Sequence, residues 1–516
     1  MSQRRLPQRG GQHVRTDGSA AVSRRGLLIG GGAALATLAV PEMLKELAWI
    51  PDRVALADTM AASLPDIQFD LGAFMPPART IDGLLVGMPP VHTIFVTARL
   101  ARTPSKADAG RMESALRTIE ANYPYAPGGV FTHVAYSDTY FGRLPSSVVS
   151  AHMPKTIDFG QQAGGQPVLK RAVAGSTDVF PGNRVFKLRR PAFNVPVRFE
   201  KNDILFTVRS DDVSFATDVV NWLSGSNSLV GRPIASPQFD AGMTVTSKRH
   251  MFVQMGLPRN MAAVHGFPWA SYVNPFSPMW MGFADQQVNA SAPAPDVTFL
   301  GGHGIKLTDA RSGDYFDHGS IQHLSHVLLD LEQFYLNGRV PDAGETDTRE
   351  PYDERVQYMF TVPPELPPDP NDPFTDGGGP RNSGTRGAFI PNVFRGADAA
   401  ERHAQQFGRI GHNDGLHRSG RTADGRPIHQ RIDGPGFDSM DTIDRRNTPK
   451  LQFSGFFPSA DFFANLRRNV GAVDLLEKFK LDEEDHGLER FISATRRQNF
   501  LIPPRRHRGF PLIELT

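Results

Sequence analysis

The stretch from Val91 to Leu223 limits the fold more than any other part of the chain. Val91–Val96 is apolar and β-branched and reads as a buried strand. A helical pattern follows over Ala107–Tyr123, with Met112, Leu116, Ile119 and Ala121 forming an apolar face. Gly129–Tyr140 alternates as a second strand and Asp203–Arg209 (DILFTVR) reads as a third, ahead of a helix over Val213–Leu223. Strand–helix–strand followed by strand–helix is the cadence of an α+β fold, an antiparallel sheet with helices packed on one face.

The second half repeats the cadence. Val297–Leu300 reads as a strand, and Ser320–Asn337 as a long helix with Ile321, Leu324, Val327, Leu328, Leu331 and Phe334 at helical spacing. Ala397–Phe407 looks helical, Leu451–Phe457 (LQFSGFF) is a strand, and Asp461–Leu466 and Leu475–Phe479 are helical. A last helix is expected over His486–Arg497. A chain of 516 residues exceeds the size at which one core stops growing, so two domains are the default. The expected division is 1–57 as a leader, 58–280 as one domain and 281–516 as a second, the two being one fold duplicated. Residues 363–384 are too rich in Pro, Gly and Asp to pack a core and read as an exposed insertion.

The leader has the character of an export signal. Ser23-Arg24-Arg25-Gly26-Leu27-Leu28 precedes a mildly apolar run from Leu27 to Val40, the pattern of the twin-arginine route. That run is too short to span a bilayer. Ala55-Leu56-Ala57 offers a cleavage site, and an uncleaved leader would tether the protein to the membrane. The leader also carries most of the basic excess. The full chain has a formal charge of +2, and residues beyond 57 carry 48 Lys and Arg against 50 Asp and Glu. No nucleic-acid partner is implied.

Cysteine is absent. This excludes disulfides, thiolate-ligated haem, covalent haem attachment, iron–sulfur clusters and cysteine zinc sites. Any metal must be held by His, carboxylate, Tyr or Met. The richest stretch is Leu416–Asp438 (LHRSGRTADGRPIHQRIDGPGFD), which sets His417 and His429 among four arginines. Neutral imidazole is a common ligand of iron, zinc or copper, and arginines hold anionic groups in fork-like contacts. His412 competes with His417 and His429 for a ligand's role. His323 and His326, one turn apart on the expected helix, would suit a zinc pair, although no H-E-x-x-H arrangement completes it. Gly301-Gly302-His303-Gly304 resembles a lipase oxyanion loop, but no G-x-S-x-G elbow accompanies it.

With these elements placed, the chain resembles a divergent dye-decolourising peroxidase, a haem protein of two ferredoxin-like halves of the dimeric α+β barrel type. Met281-Gly282-Phe283-Ala284-Asp285-Gln286-Gln287-Val288-Asn289 resembles that family's G-F-x-D-G-x-x-N segment. Asp203–Arg209 running into Asp211-Asp212 is similar to its D-L-L strand and D-D turn. Leu416-His417-Arg418 with Arg431-Ile432 and Gly436-Phe437 is similar to its histidine block, and Leu451–Phe457 with Leu488–Pro504 to its closing elements. The resemblance implies non-covalent haem b, with His417 as the iron ligand and Arg418, Asn289 and Phe453 at the cofactor. Asp285 would move a proton between the oxygens of hydrogen peroxide. An unidentified organic reductant would be oxidised, with Trp280 or Tyr315 as electron relay. A homo-oligomer is compatible with this reading, and no membrane contact beyond the leader is implied. Two departures stand out. The family's arginine before G-F is replaced by Asp433-Gly434-Pro435, leaving Arg431 as the nearest substitute, and Gln286 replaces a glycine. These departures define an alternative, a degenerate peroxidase fold that binds or carries haem, or serves as an interaction module.

Overall fold

A computed structural model describes residues 64–516 apart from short breaks and the longer stretches 175–196, 284–291, 337–400 and 416–427. The leader and the 363–384 insertion lie outside the described residues. Among the described residues no helix is long and apolar enough to cross a membrane.

The first half follows the expected cadence. β1 (His92–Leu100) leads to α1 (Lys106–Asn122), and β2 (Phe131–Ser137) passes into a short helix at Asp138–Phe141 rather than running on to Tyr140. β3 (Ile204–Ser210), α2 (Val213–Leu223) and β4 (Met243–Phe252) complete it. α1 starts where it does because Ser105 and Asp108 form a reciprocal capping box, worth about 1 kcal/mol. Asp212 caps α2 by accepting the Ser214 N–H.

The second half departs from expectation at three elements. Ser320–Leu329 is a strand, β5, and only Leu331–Leu336 beyond it is helical. Ile492–Ile502 is also a strand, β9, where a helix was expected to begin at His486. The strand expected at Val297–Leu300 does not form: Val297 ends a short 3-10 turn, Ala294–Val297, and the next three residues bend away from it. Between β5 and β9 lie β6 (Gln430–Arg431), β7 (Gly434–Asp438), β8 (Thr448–Phe457), α3 (Ala460–Gly471) and α4 (Val473–Phe479). β5 deceives because every one of its residues is buried. A strand covered on both faces loses the polar alternation that marks a half-exposed one.

The strands run β7-β4-β1-β3-β2-β9-β5-β8, and β8 pairs back onto β7, so the sheet closes into an antiparallel barrel. β6 sits outside the ring on β8, and the two-residue strand Arg198–Phe199 on β9. Within each half the spatial order is fourth, first, third, second. Two seams join the halves: β2 with β9 at Ser137 and Phe500, and β4 with β7 at Met251 and Gly436.

Outward residues of the first half, among them Ile94, Val96, Val134, Ile204 and Phe206, pack under Met112, Leu116, Ile119, Val219 and Trp222 of the two helices. Inward residues are mixed. Phe95, Leu205, Leu324, Phe456 and Phe500 form an apolar plug. Around it Gln322 donates to Thr207 and Ser454, and His133 Nε2 lies 3.1 Å from Gln322 Oε1.

Burial pushes the His133 imidazole down to about 3, against its ordinary value near 6.5. Between those values the unfolded chain binds the extra proton, so stability is full above 6.5 and is lost as pH falls. Lowering the pH from 7 to 5 is expected to remove about 2 kcal/mol through this residue alone. Urea unfolding at both pH values checks it. His133→Gln should flatten the dependence by that amount, and equal slopes in both proteins would show that the folded barrel accepts the proton.

Candidate functional site

The zinc pair dissolves first. On a strand, positions three apart face opposite ways. His323 points outward, its Nδ1 2.7 Å from Asn499 Oδ1 and its Nε2 2.6 Å from Ser325 Oγ, with its ring stacked on Phe463. His326 points into the barrel, between Thr495 at 2.7 Å and Asp438 at 3.2 Å. Asp66, Asp317 and His318 also bring potential ligand atoms together, within 4.8 Å of one another. There Arg506 pairs with both carboxylates, so the cluster ties the segments of Asp66 and Asp317 to the C-terminal one.

The outward face of β5, β8 and β9 carries two apolar clusters. One gathers Phe283, Phe334, Tyr335, Leu329 and Phe491, and the other Ile428, Phe453, Phe457, Phe462 and Phe463. Strand register sets Phe453, Ser325 and Arg497 side by side in one row along this face. Phe453 therefore lies on the same face as Phe283. Its ring centroid is 5.7 Å from Phe463 and 6.2 Å from His323.

Asp285, Asn289, His417 and Arg418 fall outside the described residues, but the ends of their segments do not. Gly282, at φ 84°, allows a tight turn in which its N–H donates to the Met279 carbonyl. Ser277 Oγ donates to the Phe283 carbonyl at 2.6 Å. This fixes the Phe283 ring edge-on to His412, centroids 4.8 Å apart. At the other end, the Ala292 N–H donates to the His429 carbonyl at 3.2 Å. Both flanks of the mid-chain segment thus meet residues that bracket the late one.

His412 is partly buried, and burial holds its imidazole down to about 3. Arg431 and Arg467 push the same way and Glu489 opposes them. At neutral pH the ring is neutral, the form that ligates metals. Arg467 donates through both Nη atoms to Glu489, at 2.7 Å for Nη1. Arg431 is placed by the pairing of β6 with Gly455, and its Nε lies 3.9 Å from Asp433. Beside it, Gln430 Oε1 is buried without a hydrogen-bond partner among the described residues. His429 is buried with its ring 6.1 Å from Phe457. Glu489 and Arg467 carried no sequence signal, being 22 positions apart across elements whose pairing only the fold creates.

Of the two expected electron relays, Trp280 packs against the Phe283 cluster and donates its Nε1–H to the Gly436 carbonyl at 3.1 Å. Tyr315 packs instead against the first-half core, stacked on His507 and bonded to Glu514. In the Gly301–Gly304 loop, His303 Nδ1 lies 2.6 Å from Asp296 Oδ1.

A neutral imidazole, aromatic walls and guanidinium groups fit a flat, partly anionic metal cofactor such as haem, whereas the unfilled Gln430 carbonyl would need a donor. Solved structures similar to this chain include a dye-decolorizing protein from V. cholerae, at 12% identity and TM-score 0.42, covering 85% of this chain and 98% of that one. Another is the encapsulated DyP-type peroxidase from Mycobacterium smegmatis, at 11% and 0.39, covering 84% and 97%. A third is a dye-decolorizing peroxidase from Bacteroides thetaiotaomicron, at 12% and 0.37, covering 84% and 98%. No curated protein matches. Residues 90–165 and 187–504, spanning the whole barrel and both flanks of the site, match one family, and the chain belongs to it: the "Family of unknown function (DUF7405)".

Proposed function

We infer that this chain is an exported haem-dependent peroxidase, which reduces hydrogen peroxide and oxidises an organic reductant. Its two halves are ferredoxin-like domains, 58–280 and 281–516, and its leader directs it out of the cytoplasm by the twin-arginine route. One observation supports the reading: the residues flanking Asp285 meet those flanking His417, Phe283 against His412 and Ala292 against His429. Bound haem b would supply the redox chemistry. His417 is the iron ligand that the sequence resemblance favours, and His412 is the described histidine with a neutral ring beside Phe283. Arg418 and Arg431 are suited to the anionic edge, and Asn289 to steadying the Asp285 loop. Asp285 takes a proton from one peroxide oxygen and returns it to the other.

The 3.9 Å approach of Arg431 to Asp433 favours a second reading, a haem binder without turnover, because that carboxylate competes for the guanidinium. Ligation is tested by absorption spectra of protein produced with ample haem. We expect a Soret band that disappears in one of His417→Ala and His412→Ala and persists in the other. Absence of the band from the wild type would remove both haem readings.

A further inference from the structure

Inside the barrel, where β4, β7, β8 and β9 come together, a charged network is left incomplete. Arg249 on β4 is wholly buried and donates through Nη2 to Glu200. Its Nε and Nη1 have no hydrogen-bond partner among the described residues. Gln452 on β8 donates through Nε2 to Asp438 at 3.1 Å, while its buried Oε1 is likewise unpartnered. Lys450, two positions along the same face, donates to Thr448, and burial holds its ammonium down to about 8.

These groups are brought close by glycine. β7 runs between β4 and β8 and turns Gly434 and Gly436 inward. A Cβ on Gly436 would stand 3.1 Å from Gln452 Cγ, 3.2 Å from Gln452 Nε2 and 3.1 Å from the His250 carbonyl. The Gln452 side chain therefore reaches across β7 to the backbone next to Arg249.

The neighbouring carboxylates are already committed. Asp441 takes Arg496 in two contacts, at 2.7 and 2.8 Å, and Glu200 is shared by Arg249 and Arg496. Asp438 serves both His326 and Gln452. Left over are two donors on a permanently charged guanidinium and one acceptor on an amide. Unfilled buried groups of this kind are costly, most of all on a charged residue. A plain carboxylate would fill the donors but not the acceptor.

We propose that the barrel interior binds a small oxoanion that keeps a hydroxyl, of the bicarbonate or hydrogen phosphate type. Its oxygens accept from Arg249 Nε and Nη1, and its hydroxyl donates to Gln452 Oε1.

The test is thermal unfolding of the full chain in sodium bicarbonate or sodium phosphate, titrated to about 10 mM against chloride at equal ionic strength. One of the two anions should raise the midpoint saturably, and which one does so sizes the site. Arg249→Met should abolish the rise. Gln452→Leu, which keeps the Arg249–Glu200 pair, should weaken the apparent affinity about tenfold or more. If Arg249→Met fails to fold, Gln452→Leu and the wild-type titration carry the test. No saturable rise with either anion, an unchanged rise in Gln452→Leu, or a high-resolution structure from either anion with only water at Arg249 Nε and Nη1 would overturn the proposal.

Discussion

Glu489→Ala is expected to cost about 3–5 kcal/mol of folding stability, read from urea unfolding, because it breaks a buried ion pair from one side. Glu489 is 3% exposed and Arg467 9%, and the two meet in a double contact between α3 and the chain leading into β9. Removing the carboxylate strands a guanidinium in a poorly solvated place. It also removes the charge that opposes Arg431 and Arg467 at the His412 ring. Replacing both partners by apolar residues, as in Arg467→Met with Glu489→Leu, should recover most of the loss, since a buried pair and a well-packed apolar pair differ little in net stability. A loss below about 1 kcal/mol in Glu489→Ala would place the pair in the class of solvated surface bridges.

How far the fold could be read in advance depends on which face of each strand was wet. β1, β3, α1 and α2 were legible because the helices cover one apolar face and carry their own caps at Ser105 and Asp212. β5 and β9 were not, because they are lined by polar side chains on the barrel side, Gln322, His326, Ser493, Thr495 and Gln498. Those residues are satisfied only by partners from distant strands. The apolar residues left over, Ile321, Leu324, Val327 and Leu328, happen to fall at helical spacing. That error of period also produced the false pairing of His323 and His326. At the candidate site, the motif around Phe283 and the histidine-rich stretch were visible as local patterns. The Arg467–Glu489 pair and the unfilled Arg249 were not, since each exists only through tertiary contact.

Asp285→Asn is expected to lower peroxide turnover about 10²–10⁴-fold while leaving the Soret band in place, the range that one positioned acid–base group supplies. Asparagine keeps the shape of aspartate but cannot exchange a proton at neutral pH. The segment should hold its place, because its anchors do not depend on the Asp285 charge. Phe283 is fixed through its backbone by Ser277 and through its ring by His412, and Ala292 through its N–H by His429. Asp285→Glu keeps a carboxylate one methylene further out and should fall between the two, with an acid limb in its pH profile that Asp285→Asn lacks. A merely structural aspartate would give a different pattern: band and turnover would decline together, and neither variant would alter the pH profile. Wild-type protein with a Soret band, turnover no faster than free haem and no response to Asp285→Asn would assign the chain to the haem binders. In that case the Asp433 carboxylate, 3.9 Å from Arg431 Nε, accounts for the missing step, because a carboxylate so near offsets the positive charge that would steady the breaking peroxide bond.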